Sequence, residues 1–169
     1  QVTMDDGESL TQQFPHTLLT VGCGGQPANG DSYHPVFVPN TNGRYVVFVS
    51  RATNLDCSVD PNNDYPADNP NKPLHQRRAN LFLADRQTNQ IRLITKDLDG
   101  KPAEGASEYP AVTYADGHLY IAFQSSASKL PIYNPSHPNN PVADDNNGYT
   151  DIFLYTISDI ASYITNPIT

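Results

Sequence analysis

The sequence has no tryptophan, one methionine and two cysteines among its 169 residues. Long hydrophobic runs are missing too, since the longest, at 45–49 and 119–123, have only the length of a β-strand and fall far short of a membrane span. Basic residues are few, with 10 lysines and arginines against 18 acidic residues and a formal net charge of −8. A nucleic-acid binder needs a basic surface, so we expect no nucleic-acid partner and no membrane insertion.

The motifs of several common active sites are missing as well. There is no GxSxG turn to present a nucleophilic serine, and no GxGxxG or GxxxxGKS/T loop to bind a nucleotide. The five histidines are scattered and form no metal-binding pair, so we assign none of them to a metal or to proton transfer. The sequence therefore favours a protein that is not an enzyme, and calcium is its only candidate cofactor.

What the sequence has in abundance is turn-forming residues, together with a repeat. Fifteen prolines and many Asn, Asp and Gly residues leave little room for long helices. Four segments recur in order: 32–36 as 107–111, 42–50 as 116–125, 52–55 as 127–130, and 80–83 as 151–154. The offset is 75 residues for the third pair and 71 for the last. Chance would not keep four segments in order, so the chain is a tandem repeat.

Each copy predicts the same antiparallel strands. A short strand after the proline (36–38; 111–113) leads through an Asn-Gly or Asp-Gly turn into a strand that ends at Phe48 or Phe123. A long polar loop and a third strand (80–84; 151–155) follow. The first copy adds a fourth strand at 91–95; in the second copy we place it at 158–164, with one helical turn at 157–163 as the alternative. Four antiparallel strands repeated in tandem describe the blades of a β-propeller.

The predicted fold is therefore all-β: two four-stranded antiparallel blades plus the outer strand of a third, forming an incomplete propeller. We divide the chain into an N-terminal arm or blade remnant at 1–16, the outer strand and loop of a preceding blade at 17–30, a first blade at 31–105 and a second at 106–169. The outer strand is placed at 17–21 because the residues after it resemble those that follow 91–95.

The repeat resembles a known family. The segments SYHP at 32–35, NGRYVVFVS at 42–50, ATNL at 52–55, DRQT at 85–88 and DIF at 151–153 are similar to TolB-like, WD40-related bacterial propeller repeats. The similarity runs from about Leu18 to Tyr155, with departures in a lengthened loop at 60–79 and in Asn80, where the family favours Asp. It implies a periplasmic or secreted protein that serves as a non-catalytic scaffold for other protein subunits.

Two other functions stay open. The chain could be the propeller domain of a secreted hydrolase or lyase whose catalytic residues lie outside it, or a calcium-dependent carbohydrate-binding surface. A closed propeller needs roughly four to eight blades, and each large apolar side chain left exposed forgoes about 1.5–3 kcal/mol. We therefore expect the remaining blades of the same protein to cover the apolar faces, with assembly of copies or another subunit as the alternative.

One loop has the composition of a calcium site. Asp145, Asn147 and Asp151 carry side-chain oxygens at nearly alternate positions around a glycine, and a hard cation such as Ca²⁺ binds six or more oxygens from such a loop. The alternative is that these side chains cap their own turn, because the loop lacks the bidentate Glu of an EF-hand.

The two cysteines, Cys23 and Cys57, stand in no CxxC motif and near no histidine, so thiolate metal binding is not expected. They form either two buried free thiols or a disulfide, and a turn-rich acidic chain favours the disulfide. The propeller layout puts both where the long loops 56–78 and 130–149 emerge, so the disulfide would link one blade to the next. Loops of this length are often functional, and we expect any recognition surface there.

Overall fold

The computed structural model describes residues 16–59, 78–132 and 147–165, together with the backbone of two short strands nearer the N-terminus. Along the chain the elements are β1 (Val2–Thr3), β2 (Ser9–Leu10), a 3-10 turn (Cys23–Gly25), β3 (Ser32–Phe37), β4 (Tyr45–Ser50), β5 (Asn80–Asp85), β6 (Gln90–Leu93), β7 (Ser107–Ala115), β8 (His118–Ser125), β9 (Asp151–Ile157) and α1 (Ile160–Thr165). Strands predominate, which confirms the predicted all-β class.

The strands form two larger antiparallel sheets. The first sheet has the strand order β3-β4-β5-β6 and the second has the order β7-β8-β9, while β1 pairs with β2. Neighbouring strands in both sheets are consecutive in the sequence and antiparallel. Turns or short loops join β3 to β4, β5 to β6 and β7 to β8, whereas the long segments 51–79 and 126–150 join β4 to β5 and β8 to β9. The predicted strands at 80–84 and 151–155 are confirmed as β5 and β9.

The predicted fourth strand of the second copy, at 158–164, is wrong, and the alternative of a helical turn is confirmed, because residues 160–165 form α1. Asp159 caps the helix: its carboxylate accepts the N–H of Ser162 at 3.1 Å, and its carbonyl accepts that of Tyr163 at 3.0 Å. Ile160 and Ile164, one helical turn apart, are both buried. In a strand the same two residues would also share a face, so the hydrophobic pattern fits either structure.

The predicted outer strand at 17–21 is also wrong. Residues 16–20 belong to no strand, and Val21 makes an isolated bridge with Pro27. The similar segment 90–93 becomes β6 because β5 lies beside it and completes its hydrogen bonds, whereas no described strand pairs with 17–21 in this way. Most of the predicted arm at 1–16 lies outside the described residues.

The tandem repeat extends to the irregular details of the backbone. Three features recur 75 residues apart: a bulge (Tyr33/Val36 and Glu108/Ala111), a residue with positive φ within it (His34, 50°; Tyr109, 54°), and an isolated bridge (Val21–Pro27 and Lys96–Pro102). A Cβ at Gly30 or at Gly105 would collide with backbone atoms of 51–52 or of 126–127. The segment 21–52 therefore follows the same path as the segment 96–127. We call the described parts of 31–105 and 106–165 the first and second units.

Side-chain pairs within the sheets recur in the same way. The hydroxyls of Ser32 and Ser50 are 2.9 Å apart, and those of Ser107 and Ser125 are 2.8 Å apart. Phe48 stacks on Phe82 with ring centroids 5.7 Å apart, and Phe123 stacks on Phe153 at 5.8 Å. The two units therefore share their internal packing as well as their path.

The two sheets pack face against face. Alternate residues of β4 and β5 form what we call the A face of the first sheet, and all are buried: Tyr45, Val47, Val49, Leu81 and Leu83. They share one hydrophobic core with the B face of the second sheet, defined by Leu119, Ile121, Phe123, Phe153 and Tyr155. The opposite, or A, face of the second sheet points away from this core.

The B face of the first sheet contributes to a core of its own. Phe48, Phe82, Ala84, Ile91 and Leu93 pack there with neighbouring segments that include Leu19, Ala28, Ala52 and Leu55. The residues 75 positions after these four are Ile94, Ala103, Ala127 and Leu130, and they pack in the core between the sheets. Each B face is thus covered by equivalent residues of the chain.

The A face of the second sheet differs from that of the first in exposure. Ile152 is 77% exposed and Leu154 is 68% exposed, whereas Leu81 and Leu83, which match them in the first unit, are fully buried. Burying such a side chain contributes about 1.5–3 kcal/mol. The same repeat position is therefore a core position in one unit and a surface position in the other.

One ion pair of the first sheet makes stability dependent on pH. Arg44 donates two hydrogen bonds to the buried carboxylate of Asp85, at 3.0 and 2.7 Å, and the amide of Gln87 donates a third at 2.9 Å. Burial alone would raise the pKa of Asp85, but these hydrogen bonds outweigh it and lower the pKa. The stabilisation is therefore present above the unfolded-state pKa of about 3.9 and is lost as the pH falls through the lower folded-state value.

We expect Asp85→Asn to lower the free energy of unfolding at pH 7 by about 1.5–3 kcal/mol, because charged hydrogen bonds are replaced by weaker ones. The fall in stability between pH 5 and pH 2, measured by urea denaturation, should be shallower in this variant than in the wild type. Asp31→Asn, at an exposed position, is the control and should keep the wild-type slope. Equal slopes for wild type and Asp85→Asn would contradict the assignment.

Candidate functional site

The bulges of the first strands in the two sheets meet at the surface. The rings of His34 in β3 and Tyr109 in β7 pack against each other at a tilt of 34°, with centroids 4.8 Å apart, and both side chains are exposed. Tyr33 meets His34 edge-on at 5.1 Å. The positive φ at His34 and at Tyr109 turns both side chains out of the regular alternation of their strands.

A hydrogen bond between the units holds the bulges together. The hydroxyl of Tyr33 donates to Glu108 Oε1 at 2.8 Å, and Arg51 Nη2 lies 3.9 Å from the same oxygen. Burial, then the hydrogen bond to Glu108 and its charge, raise the pKa of Tyr33. Tyr33 therefore remains a hydrogen-bond donor to Glu108 throughout the physiological pH range.

The paired bulges offer an imidazole and a phenol ring at one surface, and such groups bind partners through stacking and hydrogen bonds. Positive φ at residues other than glycine costs about 1–3 kcal/mol and is concentrated at functional positions. The sequence repeats the Ser-x-x-Pro motif at 32–35 and 107–110 but does not show that the bulges meet, because contacts between sheets leave no local pattern.

The predicted calcium loop is described in part. Asn147 donates its side-chain N–H to Asp151 Oδ2 at 2.8 Å, and its amide oxygen accepts the N–H of Tyr149 at 2.7 Å. Asp145 lies outside the described residues. These are the bonds of a capped turn, the alternative that the sequence left open, and calcium binding stays a prediction. It can be checked by following the melting temperature at millimolar calcium in the wild type and in Asp151→Asn.

The predicted disulfide is confirmed: Cys23 and Cys57 are bonded, with their Cα atoms 5.5 Å apart. Cys23 lies in the 3-10 turn rather than at the end of a strand, and Cys57 lies seven residues after β4. The N–H of Cys23 donates to the carbonyl of Asn54 at 2.7 Å, beside the disulfide. The covalent bond therefore ties the segment before β3 to the start of the β4–β5 loop.

We expect Cys23→Ser combined with Cys57→Ser to lower the free energy of unfolding by about 3–4 kcal/mol, as chain entropy predicts for a closed loop of this size, here spanning 34 residues. Urea denaturation of the double variant and of the oxidised wild type measures the difference. Labelling the unreduced wild type with a thiol reagent should modify no cysteine, and two labelled cysteines would refute the bond.

The remaining predictions concern the long loops, metal binding and membrane insertion. Most of the long loops 56–78 and 130–149 lies outside the described residues, so the recognition surface predicted there stays a prediction. In the part of the chain that is described, no group of three or more His, Cys, Asp or Glu side chains could hold a metal ion. None of the described helices is long and apolar enough to cross a membrane.

Comparison with known proteins finds no family model, no curated protein and no solved structure that matches the chain. The resemblance to TolB-like repeats therefore stays a prediction from the sequence pattern. The function has to be inferred from the described structure, which consists of two similar units packed face against face, paired bulges in their first strands, and one disulfide.

Proposed function

We propose that this chain is a segment of a β-propeller that acts, outside the cytoplasm, as a non-catalytic scaffold for protein interactions. The observation that carries the proposal is the direction of packing between the units: the A face of one sheet meets the B face of the next. Stacking of this kind does not close on itself after two units, because it leaves an A face free at one end and can continue with further copies.

The exposed A face of the second sheet supports a continuing stack. Its residues Ile152 and Leu154 match Leu81 and Leu83, which the second unit covers in the first sheet. The occupant that fits this face is therefore the B face of a further repeat unit, and we assign that unit to the same polypeptide. The alternative occupants, a second copy of this chain or another protein, are outcomes of the experiment below.

The position of the first strands supports a radial arrangement. β3 and β7 approach each other through the stacked rings of His34 and Tyr109 and through the Tyr33–Glu108 hydrogen bond. In sheets arranged around an axis, one strand of each lies near that axis, and the paired bulges mark β3 and β7 as these strands. The proposed interaction surface is the row of ring side chains that they carry.

The disulfide supports a location outside the cytoplasm. Structural disulfides persist in oxidising compartments and are rare in the cytosol, and the Cys23–Cys57 bond joins the segment before β3 to the β4–β5 loop of the first unit. The net charge of −8 is compatible with protein partners and unfavourable for nucleic acid. A periplasmic or secreted scaffold meets both conditions.

The experiment compares Ile152→Ala in the 169-residue chain with the same substitution in the protein isolated from its source. We expect a loss of about 2–5 kcal/mol in the free energy of unfolding where a further unit buries the side chain, and less than about 0.5 kcal/mol in the isolated chain. Leu81→Ala is the matched control, because Leu81 holds the equivalent position and is buried in both forms.

The intact mass of the isolated protein distinguishes the occupants. Further repeats on the same polypeptide require a mass well above the 18.6 kDa of this chain. A mass of 18.6 kDa with a single species in sedimentation would overturn the proposal, and oligomers of that mass would assign the face to a second copy. A longer polypeptide in which Ile152→Ala has no effect would also contradict it.

A further inference from the structure

The second sheet has one strand fewer than the first. Strand β5 pairs with β6 on its outer side, whereas β9, its counterpart, pairs only with β8 within the described residues. The chain after β9 does not supply the missing strand, because residues 160–165 form α1, which packs in the core between the sheets. The second unit therefore has an open position where the first unit holds β6.

The first sheet shows which backbone groups face this open position. Leu81 directs both of its polar backbone groups towards β6 and the residues after it: its carbonyl accepts the N–H of Ile94 at 2.8 Å, and its N–H donates to Thr95 Oγ1 at 3.2 Å. Ile152 is the counterpart of Leu81, and Leu154 lies two residues further along β9. Because these directions alternate along a strand, the N–H and C=O groups of Ile152 and Leu154 point to the outer edge of β9. A further strand can pair with this row of groups.

A cavity of about 270 Å³ lies beside this edge, between the end of β6 and β9. Three of its lining residues are counterparts of residues that surround β6 in the first unit: Ile94 of Leu19, Pro131 of Asp56, and Tyr155 of Ala84. Leu19 and Ala84 pack in one core with the β6 side chains Ile91 and Leu93. The carboxylate of Asp56 accepts the N–H of Leu93 at 2.8 Å. The cavity therefore lies where the side chains of a fourth strand would enter the second unit.

The charges around the cavity balance one another. Arg92 and Lys96 both pair with Asp56, at 3.2 and 3.9 Å, and Asp97 and Asp99 lie in the same lining. The other lining residues are mainly apolar or aromatic and include Ile94, Leu98, Pro131, Tyr155 and Tyr163. With no excess charge of either sign, the cavity suits an apolar side chain better than an ion.

The contacts of α1 keep the chain's own residues out of the open position. The Tyr163 hydroxyl donates to the carbonyl of Leu93 at 2.7 Å, which fixes α1 against the end of β6. Ile160 and Ile164 are buried in the core between the sheets, and the carboxylate of Asp159 caps the helix. Unwinding α1 into a strand would break all of these contacts, so a fourth strand has to come from another segment.

From these observations we infer that the outer edge of β9 and the cavity beside it accept an extended segment of a partner protein. The segment pairs with β9 as a fourth antiparallel strand and inserts apolar side chains from alternate positions into the cavity, as Ile91 and Leu93 enter the core of the first unit. The net charge of −8 disfavours an acidic segment. The site lies within the two described units, and a sheet stacked on the A face leaves it at the periphery. The inference therefore goes beyond the proposed function and does not rest on it.

The test uses a synthetic peptide that copies residues 89–95, Asn-Gln-Ile-Arg-Leu-Ile-Thr, because this segment holds the equivalent position in the first unit. In NMR titration of the ¹⁵N-labelled 169-residue chain, the peptide should shift the amide signals of Ile152 and Leu154 and the ring signals of Tyr155. Hydrogen exchange at both amides should slow about tenfold or more at saturation, because pairing protects them from water. A dissociation constant of about 0.1–1 mM is expected for main-chain pairing with two inserted side chains.

A second peptide, with the changes Ile91→Ser and Leu93→Ser, keeps the main-chain groups of the first but carries no apolar side chain for the cavity. It should bind about tenfold more weakly or worse, because the burial of two apolar side chains is lost. Both peptides are compared on the wild-type chain, so this comparison does not depend on the folding of any variant.

Two substitutions at Leu154 separate the backbone of β9 from its side chain. Leu154→Pro removes the N–H at the outer edge, while the neighbouring residues carry the hydrogen bonds to β8, and proline is tolerated in edge strands. It should weaken binding of the first peptide at least about fivefold. Leu154→Ala is the matched control: it keeps the N–H and removes a side chain that is 68% exposed on the A face, so the affinity should stay within about twofold of the wild type.

Three results would overturn the inference: no saturable shift at Ile152 and Leu154 up to about 5 mM peptide, equal affinities of the two peptides, or equal affinities of two folded Leu154 variants. Slow exchange of both amides before any peptide is added would contradict an open edge. A dimer in sedimentation that the peptide dissociates would assign the edge to a second copy of the chain, against a partner protein.

Discussion

The packing of the first sheet's A face on the second sheet's B face is the contact on which the rest of the structure depends. It buries alternate residues of β4 and β5, while the residues between them face the other core. Both strands are therefore buried along their whole length, which explains why YVVFVS and NLFLAD are almost continuously apolar. A register shift of one residue would exchange the two cores, so the Val–Phe alternation of β4 fixes the pairing.

The differences between the units lie at their connections and edges. The backbone N–H of Asn29 donates to Asn54 where the chain enters the first unit, and the equivalent Glu104 and Lys129 form an ion pair at 3.7 Å where it enters the second. The Arg44–Asp85 pair has no counterpart, because the matching positions hold His118 and Thr156. The cores are thus maintained by apolar residues common to both units, while the polar contacts around them have diverged. Divergence of this kind also explains the single disulfide, since the residues 75 positions after Cys23 and Cys57 are Leu98 and Ile132.

Much of the fold could be predicted from the sequence because the repeat shows the same strand and turn pattern twice. The matched segments around Asn42-Gly43 and Asp116-Gly117 predicted both hairpins, since these dipeptides accept the positive φ that the turns require. The fourth strand of the second copy could not be predicted, because Ile160 and Ile164 suit either a strand or a helix and Asp159 as a cap decides between them. The strand at 17–21 failed for another reason: a strand needs a neighbour, and similarity to β6 does not supply one.

The candidate sites were harder to predict than the fold, for a physical reason. The Cys23–Cys57 bond was predictable because two cysteines allow one pairing. The rings of His34 and Tyr109 come together although they stand 75 positions apart, one full repeat, and no local motif shows that these equivalent residues meet. Their positions follow from how one sheet sits on the next.

The exposed A face and the outer edge of β9 make different demands on the further unit that we propose. The face needs apolar cover, because Ile152 and Leu154 are exposed. The edge needs hydrogen-bond partners or a group that blocks access to it. The helix α1 follows β9 after two residues and packs into the core, so it does not cover this edge. A further sheet stacked on the face would satisfy the first demand and leave the edge at the periphery. A strand added to the edge would do the reverse and leave the apolar face in water. Because the apolar face carries the larger free-energy cost, completion by stacking is the more stabilising of the two, and it is also the contact that the two described units already make.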